Sequence, residues 1–505
     1  MAGPVPELED RATRCATRLS DADRVLLASH IDADGLTSAA IAASALERAE
    51  IPFETVFEKQ LDETAIADIA ATDYETVLFT DFGSGQLDII GEHEENGDFT
   101  PVIADHHQPA DRETEYHLNP LLFGINGASE LSGAGASYVL ARALAEVWNG
   151  ERRSTEETSA ESEWMDPRSD GGIVTASGTN DARADNRDLA ALAVVGAVGD
   201  MQASSGELHG ANAKIVEEGV EAGVVETGTD LALYGKQTRP LPKLFEYATD
   251  VHIPGISNNE GGALRFLDGL DLDLKRDGEW RRWSGLSNDE KQTVASALVQ
   301  RAVSKGVPAS KIDQLVSTAY VLPAEPVGTE LRDASEFSTL LNATARYERA
   351  DVGLGVCLGD RGDALERARK LLRDHRRNLS NGIDLVTREG VTHEDHLQWF
   401  DAGDEIRETI VGIVAGMAMG NEGISRSKPI LAFAEKNEDE LKVSSRGTHN
   451  LVREGLDLSV VMGEASRAVG GDGGGHDVAA GATVPKGEES AFIERADEIV
   501  GEQLS

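Results

Sequence analysis

The stretch Arg24–Gly35, RVLLASHIDADG, decides how the first third of this chain folds. Its apolar run Arg24–Ser29 predicts a buried strand, and the Ala-rich run Leu36–Arg48 that follows predicts a helix. Two carboxylates, Asp32 and Asp34, lie between the strand and the helix, next to a glycine that permits a tight turn. Ligands of an open parallel sheet bind at the carboxyl ends of its strands, so this junction is a candidate binding site.

The same pattern returns twice further along the chain. Thr76–Phe82 and Phe99–Ala104 read as strands, and Ser132–Trp148 reads as a helix. An acid, Asp81, follows the first apolar run, and the sequence Asp105-His106-His107 follows the second. This alternation predicts an α/β domain with a parallel sheet flanked by helices, in which the motifs share one edge.

A fourth acid, Asp200, ends the apolar run Leu189–Gly199, and we expect it at an equivalent strand end or strand–helix junction. Each acid alone is explained equally well as a helix cap or a turn residue. Their joint occurrence with the imidazoles instead indicates a centre for two divalent cations. Oxygen ligands suit Mg²⁺ or Mn²⁺, and imidazole favours Mn²⁺. The candidate residues for such a centre are those of the four motifs, namely His30, Asp32, Asp34, Asp81, Asp105, His106, His107 and Asp200.

The rest of the chain is predicted to form three further regions. Residues 151–188 are polar and acidic, and we interpret them as an insertion of the first domain, 1–225. Residues 226–350 are predicted to be a mostly helical connector. Residues 351–505 restart an α/β pattern, with Val352–Leu358 as its first strand and a Gly-rich loop before His476.

The composition limits the kind of ligand that this protein attracts. The net charge of −43 excludes a generic basic nucleic-acid binder but leaves room for a local phosphate site. Only 13 of the 47 cationic residues are Lys, which together with the acid excess is typical of proteins from a salt-saturated cytoplasm. An acidic mesophilic protein is the alternative. Two distant cysteines exclude a disulfide framework and a Cys-based zinc site.

From the sequence we expect neither a targeting signal nor a membrane span. The N-terminal residues are acidic and lack an apolar core, so they do not resemble a signal peptide. The apolar stretches Leu189–Gly199 and Ile410–Gly420 are shorter than a membrane span. We therefore expect a cytoplasmic protein without a membrane partner.

The motif set resembles the DHH phosphoesterase superfamily, and most closely its archaeal RecJ-like single-strand nucleases. The resemblance is carried by the His-x-Asp-x-Asp-Gly sequence at 30–35, by Asp81, by Asp105-His106-His107 and by Gly199-Asp200. The sequence Gly473-Gly474-Gly475-His476 resembles the signature of the DHH-associated C-terminal domain. The resemblance implies an N-terminal DHH domain with a parallel sheet flanked by helices, a helical connector and a smaller C-terminal α/β domain.

The resemblance also implies roles for individual residues. The metal ligands would be Asp32, Asp34, Asp81, His106, Asp200 and His30, with Asp81 as the bridge between the two cations. Asp105 would orient a ligand or join the metal shell, and His107 would contact the scissile phosphate or assist the leaving group. In the C-terminal domain His476 would contact the phosphate. The further phosphate-binding candidates are Ser445, Arg446, Gly473, Gly474, Gly475, Asn342 and Arg346.

The leading functional prediction is a Mn²⁺- or Mg²⁺-dependent exonuclease of single-stranded DNA or RNA, acting in repair, recombination or replication. One alternative is a phosphodiesterase of small substrates, either oligoribonucleotides or cyclic dinucleotides. Another is a replication scaffold that binds the GINS complex, as a degenerate superfamily member does. The sequence leaves open the polarity of cleavage and the choice between DNA and RNA.

Overall fold

A computed structural model describes residues 3–160, 184–248 and 252–504 of the chain. The chain divides into two compact units, Met1–Ala368 and Arg369–Ser505. Of the predicted insertion 151–188, residues 161–183 lie outside the described residues. Its first ten residues continue a helix, which runs from Gly133 to Ala160 and is therefore longer than predicted.

The first unit is built on a parallel sheet of five strands in the order β2-β1-β3-β4-β5. The strands are β1 (Val25–His30), β2 (Phe53–Glu58), β3 (Thr76–Thr80), β4 (Thr100–Ala104) and β5 (His117–Leu118). The helices are α1 (Glu9–Ser20), α2 (Ala33–Arg48), α3 (Glu63–Ala70), α4 (Leu87–Asn96), α5 (Gly133–Ala160), α6 (Ala190–Gly199) and α7 (Gly210–Glu221). The predicted α/β domain with helices on both faces of a parallel sheet is confirmed.

Alternation along the strands divides the apolar side chains between the two faces of this sheet. Leu27 and Leu78 join a core with α1, α2, α5, α6 and α7, whereas Leu26 and Phe79 join a core with α3 and α4. Helices on both faces explain why these strands are apolar throughout rather than alternating with polar residues.

The register of the sheet brings three predicted motifs to one edge. Ser29 in β1 lies opposite Thr80 in β3, and Thr80 lies opposite Ala104 in β4. The residues that follow these three positions are His30, Asp81 and Asp105, and they therefore lie on neighbouring strand ends.

The prediction for the fourth motif is wrong in its secondary structure. Asp200 follows α6 and caps its C-terminus, so it lies at a helix end rather than at a strand end. The apolar run before it is helical because Ala190, Ala193 and Ala197 recur at helical spacing and are buried. Helix α6 packs into the core that also contains α2 and α5, and this packing carries Asp200 to its position.

The region after α7 is less purely helical than expected. It contains the antiparallel pair β6 (Glu226–Leu231) and β9 (Val316–Val321), and the hairpin of β7 (Lys275–Arg276) and β8 (Glu279–Trp280). Its helices are α8 (Leu241–Glu246), α9 (Glu260–Asp268), α10 (Asn288–Ser304), α11 (Ala309–Asp313), α12 (Ala334–Arg346) and α13 (Ala350–Cys357). Phe245 and Trp283 are fully buried in a separate core of this region.

The predicted strand Val352–Leu358 is wrong, because these residues form most of α13. Val352 and Val356 are buried four residues apart, which is a helical period. Gly353 has no side chain to separate α13 from Leu36 and Thr344, and a Cβ there would lie 2.6 Å from each of these side chains. The β-branched valines follow from this close packing rather than from strand pairing.

The second unit contains a six-stranded mixed sheet in the order β10-β11-β12-β13-β15-β14. The strands are β10 (Thr392–His393), β11 (Gln398–Asp401), β12 (Ile430–Glu435), β13 (Glu440–Arg446), β14 (Asp472–Gly475) and β15 (Ala479–Pro485). The helices are α14 (Asp363–Glu389), which begins in the first unit, α15 (Glu408–Ala418), α16 (His449–Glu454), α17 (Leu458–Ala468) and α18 (Glu489–Gln503). The predicted C-terminal α/β domain is confirmed.

The predicted Gly-rich loop is instead the edge strand β14. Gly473 lies directly against α17, since a Cβ there would lie 2.7 Å from the backbone oxygen of Met462. The glycines let the strand approach the helix backbone closely, which a strand with side chains could not do.

Among the residues that the structure describes, no helix has the length and apolar character to cross a bilayer.

Candidate metal centre

Three overlapping groups of side chains meet at the carboxyl edge of the first sheet. Within each group the possible ligand atoms all lie within 4.8 Å of one another. The groups are His30 with Asp32 and Asp81, Asp34 with His106 and Asp200, and Asp81 with Asp105, His106 and His107. Asp81 and His106 each belong to two groups. The structure thus brings together all six predicted metal ligands and the two further predicted site residues Asp105 and His107.

Asp81 lies at the centre of the cluster. His30 Nδ1 is 3.5 Å from its Oδ2, and His106 Nε2 is 3.3 Å from its Oδ1. The Oδ1 atom is buried and has no hydrogen-bond partner, because the contact with His106 lacks hydrogen-bond geometry. The backbone of Asp81 has φ of 61°, a left-handed conformation that turns the chain at the end of β3.

Asp34 is held by the start of α5. The backbone N–H groups of Gly133 and Ala134 donate to its two carboxylate oxygens at 2.7 and 3.0 Å. Burial raises the pKa of Asp34 well above its usual range, and the nearby charges of Asp81 and Asp200 raise it further. The carboxylates therefore repel one another in a site with little access to water.

Asp32 and Asp200 complete the acidic set from the rim. Asp32 caps α2 by accepting from the backbone N–H of Gly35 at 3.0 Å, so the helix-cap reading of this residue also holds. Asp200 accepts from Gln202 Nε2 at 2.8 Å. A carboxylate at the C-terminal end of a helix is unfavourable beside the helix dipole, and a cation would offset that cost.

The hydrogen bonds of His106 fix which nitrogen can bind a metal. Nδ1 lies 2.7 Å from the backbone oxygen of Gly127, which can only accept, so Nδ1 carries a proton. Nε2 then faces Asp81 Oδ1 at 3.3 Å and Asp34 Oδ2 at 3.8 Å. A histidine that donates one N–H to a backbone carbonyl and turns the other nitrogen toward carboxylates is typical of metal sites.

These observations show that the residues fit divalent cations. The set combines hard carboxylate oxygens with imidazole nitrogens, and it contains a buried carboxylate oxygen without a hydrogen-bond donor. Burial opposes protonation of His106, but the neighbouring Asp81 raises the pKa of the imidazole well above its usual range. The cluster therefore favours positive charge at its centre, as a site for Mg²⁺ or Mn²⁺ requires.

Asp105 belongs to the third of these groups and also orients His107. Its carboxylate accepts from the backbone N–H groups of Ser84 and His106 at 2.9 and 2.7 Å, and His107 Nδ1 donates to it at 2.8 Å. Burial alone would raise the pKa of Asp105, but the bond from His107 and the other donors hold it below its usual range. The His107 side chain is 55% exposed, so its Nε2 is open to a substrate.

No sequence pattern indicates the buried residues behind the site. Asn119 Nδ2 donates to Ser84 Oγ and to the backbone oxygen of His107, both at 2.8 Å. His117 Nε2 lies 2.8 Å from the same Ser84 Oγ, and burial lowers the pKa of His117 to about 4, so this imidazole is neutral. His117 and Asn119 lie in a short strand and the turn after it, where no spacing rule links them to Asp105.

Close approach of glycines is a second feature that the sequence did not indicate. A Cβ at Gly133 would lie 2.2 Å from Asp81 Oδ1, and one at Gly196 would lie 2.5 Å from Asp34 Oδ1. A Cβ at Gly127 would lie 2.0 Å from the backbone oxygen of His106. The carboxylates and the helices α5 and α6 can therefore approach each other only because these three positions lack side chains.

The predicted phosphate-binding residues are distributed between the two units. Asn342 lies in the first unit, where its Oδ1 accepts from the backbone N–H of Ala33 at 3.1 Å. This side chain therefore supports the turn between Asp32 and Asp34. Arg346, one helical turn further along α12, is exposed and contacts no charged partner among the described residues.

In the second unit the predicted phosphate-binding residues cluster around the end of the sheet. Ser445 is buried and donates to the backbone oxygen of Ala480, so its hydroxyl is engaged within the sheet. Arg446 follows it, and its Nη1 donates to the backbone oxygen of Ser445 at 2.7 Å. Gly474, Gly475 and His476 are exposed at the edge strand β14 and the turn after it.

Comparison with known families identifies three domains in the chain. The N-terminal domain of the DHH family matches residues 24–166, a DHH-CID domain matches 233–316, and a DHHA1 domain matches 396–502. An uncharacterized protein of Methanocaldococcus jannaschii is 29% identical over 483 residues, which are 94% of this chain and 93% of that protein.

Solved structures with the same fold include RecJ and Cdc45. RecJ of Thermus thermophilus in complex with Mn²⁺ is similar with a TM-score of 0.57 and 16% identity over 99% of this chain, which spans 56% of that RecJ. Another RecJ, bound to manganese, is similar with a TM-score of 0.56 and 16% identity over 99% of this chain, which spans 96% of that RecJ. Cdc45 of Entamoeba histolytica is similar with a TM-score of 0.62 and 12% identity over 98% of this chain, which spans 99% of that Cdc45.

Identities this low show similarity of fold alone, whereas the domain matches concern the sequence itself. In its sequence the chain matches the DHH family N-terminal domain, the DHH-CID domain and the DHHA1 domain, and its fold is similar to that of RecJ.

Proposed function

We propose that this protein is a divalent-metal-dependent phosphodiesterase that hydrolyses single-stranded nucleic acid from an end. The observation that carries the proposal is the cluster in which Asp81 and His106 each belong to two groups of possible ligands. Two adjacent groups that share ligands suit two cations. Such cations, of which Mn²⁺ is preferred and Mg²⁺ is possible, would activate a water and stabilise the charge on a phosphodiester.

The roles of the protein side chains follow from their contacts. Asp81, Asp34, Asp200, Asp32 and His106 would hold the cations, and His30, which is 3.3 Å from Asp32 Oδ1, would complete the set at the rim. The shared position of Asp81 makes it the bridging ligand in this proposal.

The exposed imidazole of His107 is the proton donor for the leaving oxygen. Because Asp105 accepts from Nδ1, only Nε2 of His107 can exchange a proton with a substrate. Asp105 also stabilises the protonated form, since the hydrogen bond to its carboxylate raises the pKa of His107. The pair is therefore suited to protonate a leaving alkoxide beside the metal centre.

The second unit and α12 would supply the contacts to the rest of the substrate. Arg346 and Arg446 suit bidentate contacts to phosphate, with Asn342 and Ser445 supporting the backbone beside them. His476 and the exposed backbone of Gly473, Gly474 and Gly475 would contact a phosphate at the outer edge of β14. Edge strands present N–H groups that are not used within the sheet, which suits an anionic ligand.

The test uses end-labelled single-stranded DNA and RNA in molar KCl with Mn²⁺. We expect products that depend on the metal and that are lost in Asp200→Ala. The matched control is Asp68→Ala, an exposed aspartate of α3 outside the three groups, which should retain the wild-type rate. Labels at the two ends report polarity, and the paired substrates report the preference for DNA or RNA. Near wild-type cleavage by Asp200→Ala would refute the metal assignment.

Two alternative functions give different results in such assays. A phosphodiesterase of small substrates needs the same metal centre, and faster cleavage of a dinucleotide than of a longer strand would support it. The other alternative is a replication scaffold that binds a partner such as GINS, and the chain shares its fold with Cdc45 over 98% of its length. Co-purification with GINS without hydrolysis under any metal would favour a scaffold, although a scaffold does not need the complete set of ligands found here.

A further inference from the structure

Helix α14 carries a concentration of positive charge that contrasts with the rest of the chain. Six of the twelve residues Glu366–Arg377 are Lys or Arg, whereas the whole chain has 47 in 505 and a net charge of −43. Only two acids, Glu366 and Asp374, lie in the same segment. The positive charge therefore exceeds the negative charge locally, in a chain where the reverse holds overall.

Three of these cations form a stripe on one face of the helix. Lys370, Arg373 and Arg377 follow the spacing i, i+3, i+7, which places residues on the same side of an α-helix. All three are exposed. Further along the helix, Gly382 lies against Val414 and Ile406 of the second unit, and Val386 is buried in the same core. We call Lys370, Arg373 and Arg377 the basic stripe.

The charges of the basic stripe are only partly compensated within the protein. Arg377 Nη2 pairs with Asp374 Oδ1 at 2.7 Å. Lys370 and Arg373 form no ion pair with any residue that the structure describes. Like charges at helical spacing repel each other, so the stripe is an unfavourable arrangement for the isolated helix that an anionic ligand would relieve.

We propose that the basic stripe binds the phosphate backbone of a single-stranded nucleic acid, outside the metal centre. The inference rests on the proposed function, since it assigns to the same substrate a second point of attachment. From Lys370 to Arg377 the helix rises about 10 Å, so the three cations are spread along a line that successive phosphates of one strand can follow. Arginine offers a bidentate contact to phosphate and lysine offers a point charge.

The surroundings of the stripe favour nucleic acid over a membrane or an acidic protein. The next exposed residues on this side of the helix are polar, Ser380 and Asn381, and α14 has no exposed large apolar side chain. A helix that lies in a membrane surface needs such side chains to insert. An acidic protein segment would also need apolar anchors beside the charges, because pairs at an exposed rim contribute little affinity.

The test compares two sets of charge removal in the full-length protein, both on an Asp200→Ala background that prevents cleavage. The stripe variant is Lys370→Gln with Arg373→Gln and Arg377→Gln. The matched control removes three cations elsewhere on the second unit, two exposed and one half-buried, by Lys436→Gln, Arg453→Gln and Lys486→Gln. Binding of a fluorescent single-stranded oligonucleotide is measured by anisotropy at several KCl concentrations, and circular dichroism verifies that each variant is folded.

We expect the stripe variant to bind more weakly, with a slope of log K against log salt that is shallower by about 2. That value follows from the loss of three phosphate contacts, each of which contributes about 0.7 to the slope for a single strand. The control should keep the wild-type slope. Equal slopes for the stripe variant and the control would overturn the proposal. The proposal would also be overturned if the stripe variant bound the oligonucleotide as the wild type does but lost binding to anionic vesicles or to polyglutamate.

A second measurement separates failure of this inference from failure of the proposed function. With Asp200 intact, hydrolysis of bis-p-nitrophenyl phosphate reports the metal centre alone, because this diester has a single phosphate and no further strand for the stripe to bind. The stripe variant should hydrolyse it at the wild-type rate. If the wild type hydrolyses no phosphodiester but the stripe variant still loses oligonucleotide affinity, the proposed function fails and the nucleic-acid surface stands. Loss of diester hydrolysis in the stripe variant would contradict the proposal that the basic stripe acts only by binding the nucleic-acid strand.

Discussion

Substitution of Gly133 tests how tightly the metal centre is packed against the start of α5. A Cβ at this position would lie 2.2 Å from Asp81 Oδ1 and 2.7 Å from both Cβ and Cγ of Asp81. An ordinary contact requires about 3.4 Å or more, so Gly133→Ala demands a movement of roughly 1 Å. The backbone N–H of Gly133 also donates to Asp34, so the helix cannot withdraw without weakening a second candidate ligand.

The movement has to be absorbed by the candidate ligands themselves. Asp81 is only 2% exposed and contacts His30 and His106 through its two oxygens, so its carboxylate has little room to rotate. Overpacking of this kind costs about 1–3 kcal/mol in stability. A displacement of about 1 Å in a catalytic site reduces the rate about 100-fold, and altered support of metal ligands lowers metal affinity about 10- to 100-fold.

Gly150 provides a control for the same substitution in the same helix. It is exposed, and no described atom lies within 4 Å of the position of its Cβ. Gly150→Ala should therefore stabilise the protein by about 0.5–1 kcal/mol and leave activity unchanged. The assays are Mn²⁺-dependent hydrolysis of bis-p-nitrophenyl phosphate, Mn²⁺ titration by calorimetry and thermal unfolding. Equal rates and Mn²⁺ affinities for the two alanine variants would show that the packing argument is wrong.

Three further changes probe the surroundings of the site and the stability of the first unit. Asn119→Ala removes the donor to Ser84 and His107, so we expect kcat to fall while calorimetric Mn²⁺ affinity stays near the wild-type value. A parallel loss of Mn²⁺ affinity would contradict a role confined to His107. Asn342→Ala leaves the Ala33 N–H without its acceptor. This should lower the free energy of urea unfolding by about 1 kcal/mol and weaken Mn²⁺ binding. Unchanged unfolding and Mn²⁺ binding would show that Asn342 does not support the turn between Asp32 and Asp34. The hydrogen bond from Arg281 holds the pKa of Glu290 at about 2 in the folded protein, so its carboxylate stabilises the fold fully above the ordinary pKa near 4.5. The stability advantage of wild type over Glu290→Gln in urea should shrink as pH falls from 4.5 toward 2, and an advantage independent of pH there would refute the ion pair.

Much of the fold and most of the candidate site follow from local patterns in the sequence. Buried strands identify themselves by short apolar runs, and acids directly after such runs are placed at one edge by the parallel arrangement of neighbouring strands. His30, Asp32, Asp81 and the Asp105–His107 segment could therefore be assigned to a common edge before any coordinates were known. The α/β character of the second unit was predictable for the same reason.

Other features depended on contacts between residues far apart in the chain. Asp200 was expected at a strand end, but it reaches the site because α6 packs beside α2 and α5. Val352–Leu358 was mistaken for a strand because its apolar residues are compatible with either period when the run is short. The glycines before His476 were interpreted as a loop, whereas they form an edge strand that lies against α17.

The sequence by itself determined which residue types are available for metal and phosphate chemistry and the strand ends that carry most of them. Only the tertiary structure decided how these residues are held. It placed Gly133 beside Asp81, Asn342 beside Ala33 across 309 positions of sequence separation, and Asn119 behind His107. Hydrophobic periodicity specifies which face of an element is buried, but not which polar atoms of distant elements then meet. Those contacts arise only when the helices pack closely enough to exclude water.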